Sequence, residues 1–315
     1  MGAQLACTIV QLLQTANADA RVERASPTAG VPALSVQDPP RRCTSVTTFH
    51  VPADVLVWER SPQRLRSEQI RISVIIPTLE EEKALPRLLA RFDDTTIERF
   101  GIELIVSDGG SMDATVEIAR AHADVVAVHT SSRRQTIAEG RNVGAFLARG
   151  QTLVFLNADC VPADWQCFWQ TIAEWTAEQG RYMRYGVLAG PVEVDPTEQQ
   201  WSDRIVHGCF NAYLRLAAAA GLAVGRGECH VVRRWLFEQA GGYAASLAAG
   251  EDFEFLHRVR RWTRVALPPE LRVYESPRRY RRWGYRRILW RWFLNWLGAL
   301  VVQRSISREW SPVRE

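Results

Sequence analysis

The sequence predicts an α/β fold: a Rossmann-like, mostly parallel sheet with helices on both faces and a C-terminal helical segment. Three observations predict it. The chain has 315 residues, 47% hydrophobic and 23% charged, enough to bury a sizeable core and too apolar for disorder. Short β-branched runs alternate with helical segments, the pattern of parallel βαβ units. Acidic and small polar clusters follow the runs, where ligands of such sheets bind, beyond the C-terminal strand ends.

Residues 1–69 are rich in Ala, Ser, Thr and Pro, with Pro39-Pro40 and no sustained period; they are expected to form a disordered or loosely packed extension. Order is expected from Ile72. The run I-S-V-I-I (72–76) reads as a buried strand ended by Pro77. Residues 80–92 place Leu85, Leu88, Leu89 and Phe92 at helical spacing. Ile102–Val106 is a second strand, followed by a helix with Asp113 as N-cap before Val116, Ile118 and Ala119. Val125–Val128 is a third strand, 134–148 a helix and Thr152–Leu156 a fourth strand; 253–262 is a later helix. The expected organisation is an extension (1–69), a catalytic-type domain (70–276) and a basic, Trp-rich C-terminal segment (277–315).

The formal net charge of +4 hides an asymmetry. Residues 258–291 hold twelve Arg against Glu270 and Glu275, so this stretch carries +10 and leaves −6 for the rest. No eighteen-residue uncharged apolar run exists, so no ordinary transmembrane helix is expected. The six Cys (7, 43, 160, 167, 209, 229) form no C-x-x-C pair, which argues against a zinc ribbon and suits a reducing cytoplasm. Leu5–Leu13 lacks a basic flank and is interrupted by Gln11, so a signal peptide is not expected.

Three clusters follow the strands: P-T-L-E-E-E (77–82), S-D-G-G-S-M-D-A-T (107–115) and N-A-D-C (157–160). Asp108 ends a strand beside Gly109 and Gly110, which let a ligand approach the backbone; its carboxylate suits a base N–H or ribose hydroxyl. Ser111 and Asp113 fit an ordinary turn and cap. Asp159 closes a buried apolar strand, where a lone carboxylate is costly. It could hold a hard divalent ion with diphosphate oxygens, or cap the segment starting near Pro162. In G-E-D-F (250–253), Glu251 or Asp252 could be a general base or simply helix-start acidity. His230 and His257 receive no role.

The order of these pieces carries more than any one. I-I-P-T-x-E, D-G-G-S-x-D-x-T, N-A-D and then G-E-D-F-E, with G-x-G-E-x-x-V-V-R-R (225–234) and G-G-Y (241–243), resembles the family 2 glycosyltransferases of GT-A fold across about residues 71–283. The resemblance implies inverting, hexosyltransferase-type transfer from a nucleotide-sugar donor to a sugar or lipid-linked acceptor, as in cell-envelope polysaccharide synthesis. It implies that Pro77, Thr78 and Glu80 line the nucleotide pocket and that Asp108 contacts base or ribose. Arg141, Asn142 and Asn157 would lie by the nucleotide-sugar, Asp159 would hold Mg²⁺ or Mn²⁺, and Asp252 would be the catalytic base. Glu228, Glu251, Arg279, Arg282 and Trp283 are expected on the acceptor side. Asn157 stands where the family's metal motif opens with Asp; it keeps an oxygen ligand and loses a negative charge. R-Y-R-R-W (279–283) is similar to the Q-x-x-R-W of processive members, with Arg279 for Gln, and no processivity is inferred.

A nucleotidyltransferase on a similar sheet would carry a Gly-rich loop after the first strand, and a dehydrogenase G-x-G-x-x-G; P-T-L-E-E-E has no Gly. A catalytically silent GT-A scaffold at a membrane surface is the alternative that Asn157 permits. Ile288–Val302 contains Arg291 and Asn295 and is too short and polar to span a bilayer readily. Its Trp290, Trp292 and Trp296, with Trp283 and the Arg band, suit a headgroup zone. The expectation is a cytoplasmic protein with peripheral contact to an anionic membrane, set against a core-covering helix or an oligomer contact. No nucleic-acid partner is expected.

Overall fold

The computed structural model describes residues 51–291; the expected extension up to residue 50 and the C-terminal segment from residue 292 lie outside the described residues. In chain order the elements are β1 (Val55–Glu59), β2 (Ile72–Thr78), α1 (Leu85–Leu89), α2 (Asp94–Phe100), β3 (Ile102–Asp108), α3 (Thr115–His122), β4 (Val125–His129) and α4 (Ile137–Leu147). They continue with β5 (Thr152–Leu156), β6 (Cys160–Pro162), α5 (Trp165–Thr176), β7 (Val187–Ala189), β8 (Val192–Val194), α6 (Trp201–Ala219), β9 (Cys229–Arg233) and α7 (Arg234–Ala240). The last are α8 (Glu251–Val259), β10 (Val265–Ala266), β11 (Val273–Glu275) and α9 (Arg278–Trp283).

Among the described residues an eight-stranded sheet runs β1-β4-β3-β2-β5-β9-β7-β10, and a small sheet runs β6-β11-β8. The block β4-β3-β2-β5 is parallel, as alternating strands and helices require. β9 is antiparallel to both β5 and β7, and β1 to β4, so the sheet is mixed at both sides of its parallel centre. The centre is buried on both faces. Val74 and Ile76 face a core with α1, α2 and α5, whereas Ile75 faces a core with α4, α7 and α8. A Cβ on Gly144 of α4 would lie 2.4 Å from Ile75 Cγ2, so the helix needs glycine there to sit on the sheet.

Four differences from the sequence reading have local causes. β1 falls inside the expected extension: Val55 pairs with His129 and Glu59 with Val125. Of its five side chains only Val55 is buried, so this edge strand has no period-2 signal. β2 runs through Pro77 to Thr78, because pairing with β5 ends at Ile75 and the missing proline N–H costs no ladder bond on that side. The expected helix over 80–92 is broken. Glu80 has φ +60, Pro86 sits in the first turn of α1 and Asp93 caps α2 by accepting from Thr96 N at 2.7 Å. The helix expected over 253–262 starts earlier, at Glu251, and ends at Val259.

Candidate active site

β2, β3 and β5 release their polar clusters at one rim of the sheet. A cleft of about 250 Å³ opens there, walled also by the N-terminal end of α4, residues 226–228, the start of α8, Phe210 of α6, and Arg278 and Arg279 of α9. Pro77, Thr78, Arg141, Asn157, Asp159, Glu228, Glu251, Asp252 and Arg279 all line it, so most of the expected site residues converge.

Asp108 does not line the cleft. It is fully buried, and its carboxylate accepts from Thr78 Oγ1 (2.8 Å), Gly110 N (3.0 Å), Ser111 N (2.7 Å) and Ser111 Oγ (2.6 Å). A carboxylate bonded four times inward shapes the 107–115 loop, and the neighbouring Ser107 and Gly109 form the cleft wall instead. Glu80 is likewise turned to this loop: its N–H donates to Ser111 Oγ (2.8 Å) and Oε1 accepts from Met112 N (3.0 Å). Asn142 is spent on the G-G-Y segment. Its Nδ2 donates to Tyr243 O (2.8 Å) and its Oδ1 accepts from Tyr243 N (2.9 Å). These three expected nucleotide contacts are supports behind the wall.

Arg141 is the buried hub. Nη1 donates to Glu251 Oε1 (2.8 Å), and Nη2 donates to Asn157 Oδ1 (3.0 Å) and Gly227 O (2.6 Å). The guanidinium also lies 5.2 Å from the Tyr243 ring centroid. This one side chain ties α4 to β5, to the loop before β9 and to α8. Glu251, buried and paired, is structural in this arrangement. Asn157 gives its oxygen to Arg141, which a neutral amide can do without adding charge to an already acidic wall.

Asp252 is held by backbone donors: Gly227 N to Oδ2 and Phe253 N to Oδ1, both at 2.9 Å. A Cβ on Gly227 would meet the Asp252 carboxyl and Cβ at 2.9–3.0 Å, so glycine is required for this approach. Burial, with Glu251 and Glu228 nearby, raises Asp252 to about 7. Glu228 goes the other way: burial opposes its charge, but Arg226 outweighs it and holds the group low.

Across the cleft, Arg278 bridges two carboxylates, contacting Glu81 and reaching Asp159 Oδ2 at 3.3 Å. Burial raises Glu81 to about 7 despite Arg278, and its Oε2 is buried with no hydrogen-bond partner. Among the described residues no three His, Cys, Asp or Glu side chains converge as a metal site. The donor set therefore fits an ion that takes carboxylate oxygen from Asp159, with the unpartnered Glu81 oxygen near, and fills its shell from a ligand. It does not fit an ion caged by protein alone.

Sequence reasoning missed Glu81, Arg226 and Arg278. Arg226 is buried; Nη2 reaches Glu228 and Glu275 (both 2.7 Å) and Tyr280 OH (3.2 Å), while Nη1 lies 3.2 Å from His207 Nδ1. The three missed residues come from stretches remote in sequence: the turn after β2, the loop before β9 and the start of α9. The available signal was the polar P-T-L-E-E-E turn and the doublet Arg278-Arg279. Arg282 is exposed and Trp283 packs against Val194, Tyr280 and Ile288, so neither lines the cleft. His230 is a core residue bonded to Tyr243 OH (3.0 Å) and held down to about 3 by burial; His257 is exposed.

Residues 73–238 match the sequence profile of the family described as Glycosyl transferase family 2. A PGL/p-HBAD biosynthesis glycosyltransferase of Mycobacterium bovis (strain BCG / Pasteur 1173P2) is 30% identical over 191 residues, 58% of this chain and 67% of that protein. Two solved structures share the fold. A mannosyltransferase from Pyrobaculum calidifontis, in complex with GDP-Man and Mn²⁺, superposes with a TM-score of 0.50 at 20% identity, over 70% of this chain and 60% of that one. Glucosyl-3-phosphoglycerate synthase from Mycobacterium tuberculosis, with Mn²⁺, UDP and phosphoglyceric acid, gives 0.51 at 18% identity, over 74% and 78%.

Proposed function

Because this chain belongs to glycosyl transferase family 2, we propose that its cleft moves a hexosyl unit from a nucleotide-sugar to an acceptor hydroxyl with inversion, and that Asp252 is the base. The observation that carries this reading is the state of Asp252. It lines the cleft, its carboxylate is fixed by two backbone N–H groups, and it is raised to about 7. A base near neutrality accepts a proton well and still has a large ionised fraction at neutral pH.

The remaining residues follow from charge. The donor's leaving group is a diphosphate, and Arg278 and Arg279 also line the cleft. Guanidinium groups match phosphate geometry. Asp159, with Glu81 beside it, would hold Mg²⁺ or Mn²⁺ together with diphosphate oxygens. A divalent ion bound there supplies charge stabilisation for the leaving oxygen. Ser107, Gly109, Pro77 and Thr78 would form the floor under the nucleotide, with Asp108 fixing that floor from behind. Arg141 holds the loops carrying Asn157 and Gly227 in register with Asp252, and so positions the base without touching substrate. Asp252 then takes the acceptor proton as the hydroxyl attacks the anomeric carbon from the face opposite the diphosphate. No covalent intermediate is needed. The basic surface around α9 supports peripheral contact with an anionic membrane, where a lipid-linked acceptor would reside.

A calorimetric panel of UDP-, GDP- and dTDP-sugars with Mn²⁺, followed by assay of nucleoside diphosphate release, tests the reading. One donor should bind and release its diphosphate when an acceptor hydroxyl is supplied. Binding of no donor, or release blocked equally by every cleft substitution except Asp252→Asn, would contradict it.

A further inference from the structure

α6 is an inverted amphipathic helix. Its inward face is polar over the first three turns, where Asp203, His207 and Asn211 are buried, and apolar only at its end, with Leu214 and Ala217. Asp203 accepts from Arg281 Nη1 (2.8 Å) and Tyr285 OH (2.6 Å), and His207 and Asn211 both bond Val192 O, at 3.1 and 3.0 Å. The outward face is apolar. Trp201 is 77% exposed, Ile205 42%, Tyr213 45% and Leu216 73%. Residues 201, 205, 209 and 213 are spaced by one turn, and Leu216 falls between them in projection, so they form a continuous stripe about 22 Å long. A helix on a water-facing surface has the opposite arrangement.

The charge around the stripe is of one sign. The exposed charged residues of α6 are Arg204 and Arg215, since Asp203 is buried. The chain that packs on α6 through Arg281 and Tyr285 adds exposed Arg281, Arg282, Arg286 and Arg287, and Trp290 at 60% exposure. Among the described residues of the segment leading into the helix, Glu198 is an exposed acid. An apolar stripe with arginine flanks is the pattern of a helix lying in the headgroup region of an anionic bilayer. A second copy of the chain is a poorer occupant, because it would bring two basic faces together. The same helix reaches the cleft through Phe210.

We propose that α6 is a membrane-docking element: Trp201, Ile205, Tyr213 and Leu216 enter an anionic lipid surface, with Phe210 of the same helix in the cleft wall. This rests on the transfer reading above only for its purpose, not for its geometry. The docking lets an acceptor headgroup enter the cleft from the bilayer side.

The test is flotation of the full chain with phosphatidylcholine vesicles, with and without phosphatidylglycerol. Wild type should float with the anionic vesicles alone and detach as salt rises. Trp201→Ser/Leu216→Ser should bind at least tenfold more weakly, with an unchanged melting temperature and unchanged calorimetric donor binding. Arg286→Ser/Arg287→Ser should weaken binding and reduce its salt dependence. Wild type that does not float, or a Trp201→Ser/Leu216→Ser variant that floats as well as wild type, overturns the proposal. So does light scattering that shows a dimer broken by that variant without vesicle binding, which assigns the stripe to a second copy. Donor binding read on the wild type in parallel separates the two claims: wild type that does not float yet binds donor rejects only docking, and wild type that floats yet binds no donor rejects only the transferase reading.

Discussion

In the proposed mechanism a single carboxyl, that of Asp252, takes the acceptor proton. Its value of about 7 comes from burial first, then from Glu251 and Glu228. The protonated acid cannot accept a proton, so kcat/KM should rise about tenfold per pH unit on the acid side and level off above about 7. A profile with its acid limb near 4 would remove Asp252 from the rate-limiting proton transfer. Gly227 sets the geometry of that carboxyl, since a side chain there meets it at 2.9–3.0 Å. Gly227→Ala should therefore lower kcat by ten- to a hundredfold while donor affinity stays within a few-fold, measured by steady-state kinetics and calorimetry. Equal loss of donor affinity would point to general loop collapse.

At the scale of elements, α9 contributes Arg278 and Arg279 to the cleft wall. Arg278 joins Glu81, after β2, to Asp159, after β5. Arg278→Gln should raise the donor KM about tenfold and destabilise the fold by roughly 1–3 kcal/mol at pH 8, because it leaves buried carboxylate charge without its partner. The stability loss should shrink at pH 6, where Glu81 is protonated; chemical denaturation at the two values reads this. Such cross-element contacts mark where the sequence ceased to be legible. The parallel centre was readable, because β2, β3 and β5 are short apolar runs whose polar ends fall at the ligand-binding rim. Asp159 follows β5 and Asp252 opens α8 in the G-E-D-F-E motif, and both line the cleft. β1 was not, since one buried side chain in five leaves no period. Asp108, Glu80 and Asn142 sit in the right motifs but bond inward, and spacing cannot say to which side of a loop a side chain turns. Arg226 and Arg278 find their partners only in the folded chain.

The whole molecule stores several carboxyls away from their ordinary state. Burial raises Glu81, Asp252 and Glu275 each to about 7, while burial lowers His207 to about 4 and His230 to about 3. A raised carboxyl gives the native state extra protons, so its contribution is complete below about 4 and is lost as pH rises through 7. The neutral histidines act oppositely, and their contribution is already complete above about 6.5. Between pH 6.5 and 8 the carboxyls therefore govern, and the denaturation midpoint should fall. Asp252→Asn should flatten that fall; an unchanged slope would place the lost protons elsewhere. The charge split belongs to this scale too: the +10 stretch of an otherwise acidic chain includes α9, whose Arg281 bonds Asp203 of α6. No helix among the described residues is long and apolar enough to cross a membrane.

The most direct test of the central claim is transfer by Asp252→Asn, with the anomeric configuration of the wild-type product read by NMR. The account predicts an inverted product and a turnover at least a hundredfold lower in the variant, with donor binding preserved. A retained anomer, or a variant that turns over at the wild-type rate, would contradict it.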